Sequence, residues 1–142
     1  MNFFITLKKR HLFIILAVII ITFLIFGQLV SAKSKNIDGS TNAKRTEYIK
    51  SLGIEPDDTN VSSKQITIPQ NFSEVYKEYN RLQKKAGFDL SRYKGEAATV
   101  YNYAICGSER ELHLIVCNNK IIGGDIADIS VNGEMLPLKR HS

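Results

Sequence analysis

One long apolar segment near the amino terminus constrains this chain more than any other feature. Residues 12–30 read LFIILAVIIITFLIFGQLV, and fifteen of these nineteen residues are Leu, Ile, Phe or Val. As an α-helix the segment is about 28 Å long, close to the thickness of the hydrocarbon core of a bilayer. A helix that is apolar on every side needs lipid or a large protein interior around it. Since the rest of the chain is too short to enclose one, the sequence predicts a transmembrane helix in contact with the lipid bilayer.

The flanks of this segment leave two fates open, a retained anchor and a cleaved signal peptide. Three basic residues, 8–10, precede the segment and the small residues Ser31 and Ala32 follow it, as in a secretory signal. The segment is long for the core of a signal peptide and long enough to span, which favours a single-pass signal anchor. Residues 1–11 are then cytoplasmic and the C-terminal domain lies outside the cytoplasm. Cleavage after Ala32, giving a secreted protein, is the alternative.

The rest of the chain is close to electrically neutral. The net charge of +5 divides into +3 from residues 1–32 and +2, from 16 basic and 14 acidic residues, in residues 33–142. This balance does not fit a nucleic-acid-binding protein. One local basic cluster is a candidate contact with an envelope protein or an anionic polymer, although a solvated helix end explains it equally well: Arg81, Lys84, Lys85, Arg92 and Lys94.

The patterns beyond the apolar segment predict a polar linker, residues 31–42, and one small domain, residues 43–142. A first helix, capped by Thr41 or Asn42, runs through AKRTEYIKSL and ends at Gly53, and a second runs over residues 71–86. In the second helix one apolar stripe is predicted to face inward, and it comprises Phe72, Val75, Tyr76, Tyr79 and Leu82.

Alternating apolar residues predict strands at 65–68, 98–106, 111–117 and 120–128, and a last hairpin joins 129–131 to 135–138. Helices followed by consecutive strands indicate an α+β domain with two helices packed on one face of an antiparallel β-meander.

The connection between the second and third of these strands decides whether Cys106 and His113 meet. A four-residue turn, GSER, places Cys106 opposite Glu111 and diagonal to His113, at about 7 Å. A thiolate beside an imidazole permits acyl transfer, so an envelope hydrolase or transferase with this dyad is the alternative function. The same register separates Cys106 from Cys117 by about 20 Å, too far for a disulfide.

Neither a metal site nor a cofactor site is predicted. The three histidines are scattered, and Asp125 and Asp128 provide too few ligands for a cation site. Gly123 and Gly124 lack the following helix and the Lys of a phosphate-binding loop, and a β-bulge is the simpler interpretation of the pair.

Several stretches together resemble one bacterial protein family. The sequence reads IPQNFSEVYKEYNRLQKKAGFDLSRYKG, then YNYAI, IIGGDI and NGEMLPL. Over about residues 45–138 the chain is similar to the domain of unknown function 4830 family. The resemblance implies a small membrane-anchored or exported protein of a Gram-positive, clostridial-type bacterium, and it implies no activity. At Ile54 the chain departs from the aromatic residue that often follows the glycine in this family.

The sequence therefore favours a non-catalytic binding or interaction module in the cell envelope. It contains a spanning segment, a tether and a compact domain, and it lacks a complete set of catalytic groups. The ligand, the partner and the oligomeric state do not follow from it.

Overall fold

The computed structural model describes residues 35–129 and 133–139, together with Val18. Contacts within the chain divide it into two units, Met1–Lys33 and Ser34–Ser142. Apart from Val18, the transmembrane segment predicted at 12–30 lies outside the described residues. Among those that are described, no helix has the length and apolar character needed to cross a membrane.

The described part of the second unit is an α+β domain, as predicted, with two α-helices and an antiparallel sheet. The strands lie in the order β1-β5-β4-β3-β2, and β6 also pairs with β5. In chain order the elements are β1 (Ile37–Asp38), α1 (Asn42–Ser51), β2 (Ser62–Thr67), α2 (Glu74–Lys85), a 3₁₀ helix (Leu90–Tyr93), β3 (Ala97–Ala104), β4 (Arg110–Cys117), β5 (Lys120–Asp128) and β6 (Met135–Pro137).

The ends of both helices follow from their capping residues. The Thr41 hydroxyl accepts a hydrogen bond from the Lys44 N–H at the start of α1, and the Ser73 hydroxyl does the same for Tyr76 at the start of α2. Gly53 and Gly87, with φ of 80° and 84°, follow the two helices. Glycine adopts this left-handed conformation without the strain that a Cβ atom brings.

The inward side of α2 differs from the predicted apolar stripe. Val75 is 81% exposed, whereas Asn80 and Gln83 are buried beside the partly buried Tyr76 and Tyr79. The helix is rotated relative to the stripe because its inner side meets polar groups of the sheet as well as apolar ones. Apolar spacing cannot reveal such a contact.

The two helices lie on opposite faces of the sheet, so the prediction that both pack on one face is wrong. Leu112, Leu114 and Val116 of β4 share a cluster with Ile49 of α1. The alternate residues Ile115 and Cys117 lie in the second cluster, which includes Tyr76 and Tyr79 of α2. Alternate side chains of a strand point to opposite faces. A strand that is apolar on both faces does not indicate where each helix packs.

The β3–β4 register is shifted by two residues from the prediction. Ala104 pairs with Glu111, and Asn102 pairs with His113. Cys106 does not pair with Glu111, because its N–H donates instead to the Glu55 carbonyl, 2.9 Å away, and the chain turns there. An even shift keeps every side chain on its predicted face.

The predicted bulge is confirmed, and it lies at Ile122, just before the glycine pair. Ile115 pairs with Gly123 while Val116 pairs with Ile121, so Ile122 is the additional residue on β5. Gly124 passes close to β4, since a Cβ atom there would lie 2.5 Å from the His113 carbonyl oxygen and 2.8 Å from Leu138.

Short segments cover the outer side of β5 at both of its ends. Ile37 pairs with Ile121 within the predicted linker, and this pairing gives the backbone of β5 a partner. Residues 135–137 pair with Asp125–Ala127 of β5. The proposed pairing of 129–131 with 135–138 is not the one that β6 makes, and 130–132 lie outside the described residues.

Arg45 fastens α1 to the sheet. It is only 6% exposed, and its guanidinium lies over the Tyr101 ring at 3.6 Å from the centroid. Its Nε donates to the Tyr103 hydroxyl at 2.8 Å and another nitrogen donates to the Gly39 carbonyl at 2.9 Å. Ring stacking and two hydrogen bonds thus compensate the buried cation.

Gly124→Ala should destabilise the domain by about 1–3 kcal/mol, because the new Cβ atom meets backbone that has little room to move. Gly123→Ala is the matched control, since there the nearest atom is the side-chain oxygen of Gln83 at 2.9 Å, whose displacement costs its hydrogen bond to the Gly124 N–H but moves no backbone. Denaturant unfolding of both variants measures the two costs. An equal or larger cost for Gly123→Ala would contradict this account of the close approach.

Candidate functional site

A row of polar side chains crosses four strands on the face that α2 covers. Ser62 of β2 pairs with Asn102 of β3, Asn102 pairs with His113 of β4, and His113 pairs with Asp125 of β5. Register partners point to the same face, so these four residues form one line, called the polar row below. The Asn102 side-chain amide donates to the Ser62 hydroxyl at 3.1 Å.

The buried carboxylate of Asp125 is the centre of the site. Asp125 is 2% exposed, and its two oxygens bond different partners. The His113 Nδ1 lies 2.9 Å from Oδ1, and the Tyr79 hydroxyl donates to Oδ2 at 2.6 Å. A carboxylate buried in a sheet needs such donors to offset the loss of water. Asp125 therefore links two strands and α2 through one side chain.

His113 lies between two carboxylates. Besides its contact with Asp125, its Nε2 lies 3.5 Å from the Glu111 carboxylate. The hydrogen bond to Asp125 raises the pKa of His113 above its ordinary value of 6.5, partial burial opposes this, and Glu111 adds to the rise. The protonated imidazole is favoured because both ring nitrogens then donate toward negative charge.

Tyr79 remains a hydrogen-bond donor under ordinary conditions. Burial raises the pKa of its hydroxyl well above the usual range, and the nearby Asp125 raises it further. Ionised Tyr79 would place a second negative charge beside the carboxylate, so the neutral hydroxyl is the stable form.

Two buried amides of α2 extend the network along the helix. The Gln83 Oε1 accepts a hydrogen bond from the Gly124 N–H at 2.8 Å, while the Gln83 Nε2 has no hydrogen-bond partner among the described residues. The Asn80 Oδ1 accepts from the Leu90 N–H at 2.8 Å, and its amide donates to Asp89 at 3.0 Å. The inner side of α2 thus holds the sheet and the 3₁₀ helix through hydrogen bonds.

The structure does not bring Cys106 and His113 together. Cys106 is exposed in the turn after β3, four residues beyond the partner of His113, or about 13 Å along a strand. Both ring nitrogens of His113 face carboxylates, so neither is positioned as a base for the thiol. Cys106 and Cys117 are both free, which agrees with the prediction that they do not bond to each other.

An Asp–His pair is also part of hydrolase triads, in which the carboxylate orients the imidazole toward a nucleophile. Among the described residues, no hydroxyl or thiol is hydrogen-bonded to His113. The same residues contain no group of three or more His, Cys, Asp or Glu side chains arranged to hold a metal ion. The arrangement joins structural elements, and it resembles only part of a catalytic site.

The basic residues proposed as a contact surface are in part paired with neighbours. Arg81 forms an ion pair with Glu78, and Lys84 lies 3.7 Å from Asp89. Lys94 lies over the Phe72 ring at 5.0 Å from its centroid. Arg92 is also engaged in an interaction, and Lys85 lies exposed at the end of α2. Local pairing reduces the positive field that this surface presents.

Sequence reasoning singled out His113 but missed its partners Asp125 and Tyr79. A usable indication was present in the three central strands, in which a polar residue lies among apolar residues or glycine: Asn102, His113 and Asp125. Their alignment depends on the β3–β4 register and on the bulge in β5, which the sequence did not determine.

Fold and site together define a small α+β domain with a helix on each face of its sheet and a buried polar network under α2. The chain belongs to the family described as Domain of unknown function (DUF4830), whose model matches residues 48–126. That range contains α2, β4 and the whole Tyr79–His113–Asp125 network. Neither a curated protein nor a solved structure matches the chain.

Tyr79→Phe should lower the free energy of unfolding by about 1–3 kcal/mol, because the buried Asp125 loses one of its two hydrogen-bond donors. Tyr76→Phe is the control, since the Tyr76 ring packs against Phe72 and Tyr79 and the donor to Asp125 is the Tyr79 hydroxyl. Urea unfolding of the two variants compares the costs. Equal costs would show that the hydroxyl of Tyr79 does not stabilise Asp125.

His113→Gln should remove a pH-dependent part of the stability. Because the pKa of His113 is raised on folding, the wild-type chain gains stability that is fully present below about pH 6.5. That gain is lost as the pH rises through the raised value. The difference in unfolding free energy between wild type and variant, measured from about pH 5 to pH 9, should therefore shrink with rising pH. His11 and His141 are present in both proteins and cancel, and a difference independent of pH would contradict the assignment.

Proposed function

We propose that this protein is a single-pass membrane protein whose C-terminal domain lies outside the cytoplasm and acts as a non-catalytic binding module in the cell envelope. The observation that carries the proposal is the uncharged apolar segment 12–30, which the chain follows with the unit Ser34–Ser142. Such a segment is long enough to span the hydrocarbon core, and the bilayer is its partner.

The contacts of the candidate groups support a non-catalytic role. His113 interacts with two carboxylates, Tyr79 donates to Asp125, and Cys106 lies apart from them in an exposed turn. Catalysis by a dyad requires a base within hydrogen-bond reach of the nucleophile. No contact in the described part of the chain favours the envelope hydrolase or transferase with Cys106 and His113.

Export is supported by the order of residues before the domain. Basic residues, an apolar run and small residues follow one another up to Ala32, as in segments that direct a chain across the membrane. A secreted protein that begins at Lys33 is the second form of the same proposal. It differs from the first only in whether the apolar segment is retained.

The contact of the domain with an envelope protein or an anionic polymer remains a second part of the proposal. One side of α2 faces solvent, and it carries the basic residues Lys77, Arg81, Lys84 and Lys85. Glu74 pairs with Lys77 and Glu78 pairs with Arg81 on this side. Because these pairs reduce the positive charge, contact with an anionic polymer there would be weak and sensitive to salt.

The exposed Cys106 is a reporter for the orientation, because Cys117 is buried. After mild reduction, a membrane-impermeant maleimide should label the full-length chain in intact cells. Cys106→Ser is the matched control and should abolish the label. Labelling that appears only after the cells are permeabilised would overturn the extracytoplasmic placement.

Fractionation of the same cells distinguishes the membrane-anchored form from the secreted form. We expect the chain to stay in the membrane fraction after an alkaline carbonate wash, with an intact mass that includes residues 1–32. A mature protein in the medium that begins at Lys33 would replace the anchor with the secreted alternative. An intact chain that is water-soluble without detergent would overturn both.

A further inference from the structure

The outer edge of β2 is the longest strand edge without a partner in the described part of the chain. β2 covers six residues, Ser62–Thr67, pairs with β3 on one side, and ends the strand order of the sheet. Five of its six side chains are exposed. Backbone groups along such an edge are free to pair with another strand.

The hydrogen bonds next to β2 determine which backbone groups point outward. The Ile68 N–H donates to the Glu96 carbonyl at 2.9 Å, and the Ile68 carbonyl accepts from the Gly95 N–H at 2.8 Å, so both groups of Ile68 face β3. Orientation alternates along a strand. The N–H and carbonyl groups of Ser63, Gln65 and Thr67 therefore point away from the sheet.

The far side of the sheet confirms this alternation. The same alternation can be followed from β2 through β3 and β4 to β5 by means of the pairing registers. It predicts that the Gly124 N–H on β5 points away from β4. That N–H does point outward, since it donates to the side chain of Gln83. The orientation on β2 is thus fixed by two independent contacts at opposite sides of the sheet.

The opposite edge of the sheet is already largely closed. β1 and β6 pair with the two ends of β5, and Gln83 occupies the gap between them at Gly124. β1 and β6 are two and three residues long, and Pro137 in β6 has no N–H to donate. Since the described part of each chain has one long free edge, pairing edge to edge closes after two copies and does not continue into a fibre.

The sequence of β2 is complementary to itself in one antiparallel register. With a two-fold axis at Gln65, Ser63 lies opposite Thr67 of the second copy, and Lys64 lies opposite Ile66 of the second copy. The outward-pointing residues then exchange hydrogen bonds, and the stem of each lysine covers an isoleucine.

The two neighbouring registers are less favourable. An axis at Lys64 places the two lysines directly opposite each other, and like charges in that position are destabilising. An axis at Ile66 places Ser63 opposite Pro69, which has no N–H for the hydrogen bond that the pair requires.

We propose that a second copy of this chain binds the β2 edge, with antiparallel β2 strands centred on Gln65, so that two sheets join into one. The inference goes beyond the proposed location of the domain and does not depend on it. The occupant is a second copy because the register is self-complementary and because the strands that the structure describes leave one long edge on each chain.

Cysteines placed on the edge test the register in the full-length chain. In a Cys106→Ser background, Gln65→Cys should give a disulfide-linked dimer under mild oxidation of the protein as the cells produce it, whether it is recovered from membranes or from the medium, because paired residues have Cα atoms about 5.5 Å apart. Ser63→Cys is the matched control and should not link to itself, since the two copies of that residue are about 13 Å apart along the strands. Ser63→Cys co-expressed with Thr67→Cys should link.

A second pair of variants tests the backbone contacts. Gln65→Pro removes an outward N–H and none that faces β3, whereas Gln65→Thr keeps that N–H. We expect the proline variant to weaken self-association by about tenfold or more, because each dimer loses both central donors. The threonine variant should associate as the wild type does. Thermal unfolding of both variants shows whether the monomer fold is kept.

Each result decides the proposal. Absence of the Gln65→Cys dimer, or equal linking by Ser63→Cys, would overturn it. Linking of Gln65→Cys to another protein and not to itself would also overturn it, and would assign the edge to a strand-donating partner. Failure of the membrane placement would leave these results unchanged, so the two proposals fail separately.

Discussion

The buried carboxylate of Asp125 is the constraint on which the arrangement of this domain depends. It lies in the middle of β5 under α2, where it cannot be solvated, so the fold must bring donors to it. Tyr79 of α2 donates a hydrogen bond to this carboxylate, and the imidazole of His113 on β4 contacts its other oxygen. A rotation of α2 would break the hydrogen bond from Tyr79, and a shift in the β4–β5 register would break the contact with His113. One acidic side chain therefore fixes a helix orientation and a strand register at the same time.

The glycine pair next to Asp125 allows α2 to act at the sheet edge in place of a strand. Gly123 leaves room for Gln83 and Leu90 on one face, and Gly124 leaves room for Leu138 on the other. Because α2 comes this close, the Gln83 carbonyl oxygen accepts the N–H that β1 and β6 leave without a partner. The domain thus closes one side of its sheet with short strands and a side chain, while β2 remains open on the other.

Residues close to the ends of each helix and strand predicted these elements from the sequence. The features that the sequence did not predict depend on contacts between residues far apart in the chain. Thr41, Gly53 and Gly87 lie within one turn of the helix ends that they determine. The strands around Asn102, His113 and Asp125 follow from the alternation of apolar residues, so the sequence was sufficient to predict the α+β class. The β3–β4 register depends on Glu55, about fifty residues before the turn that it holds. The side of the sheet on which α2 packs depends on Asp125, whose partners could be recognised only once the bulge and the register were known.

The Tyr79–His113–Asp125 network also limits how this domain can recognise another molecule. Asp125, Tyr79 and His113 satisfy one another, so they offer few free donors or acceptors to a ligand without first breaking contacts that hold α2 to the sheet. The outward backbone groups of Ser63, Gln65 and Thr67 carry no such cost, because no described residue of the same chain occupies them. Recognition by backbone depends little on side-chain identity but requires an N–H at each outward position. Binding at the β2 edge therefore excludes proline at those three positions, while the side chains of Lys64 and Ile66 select the register.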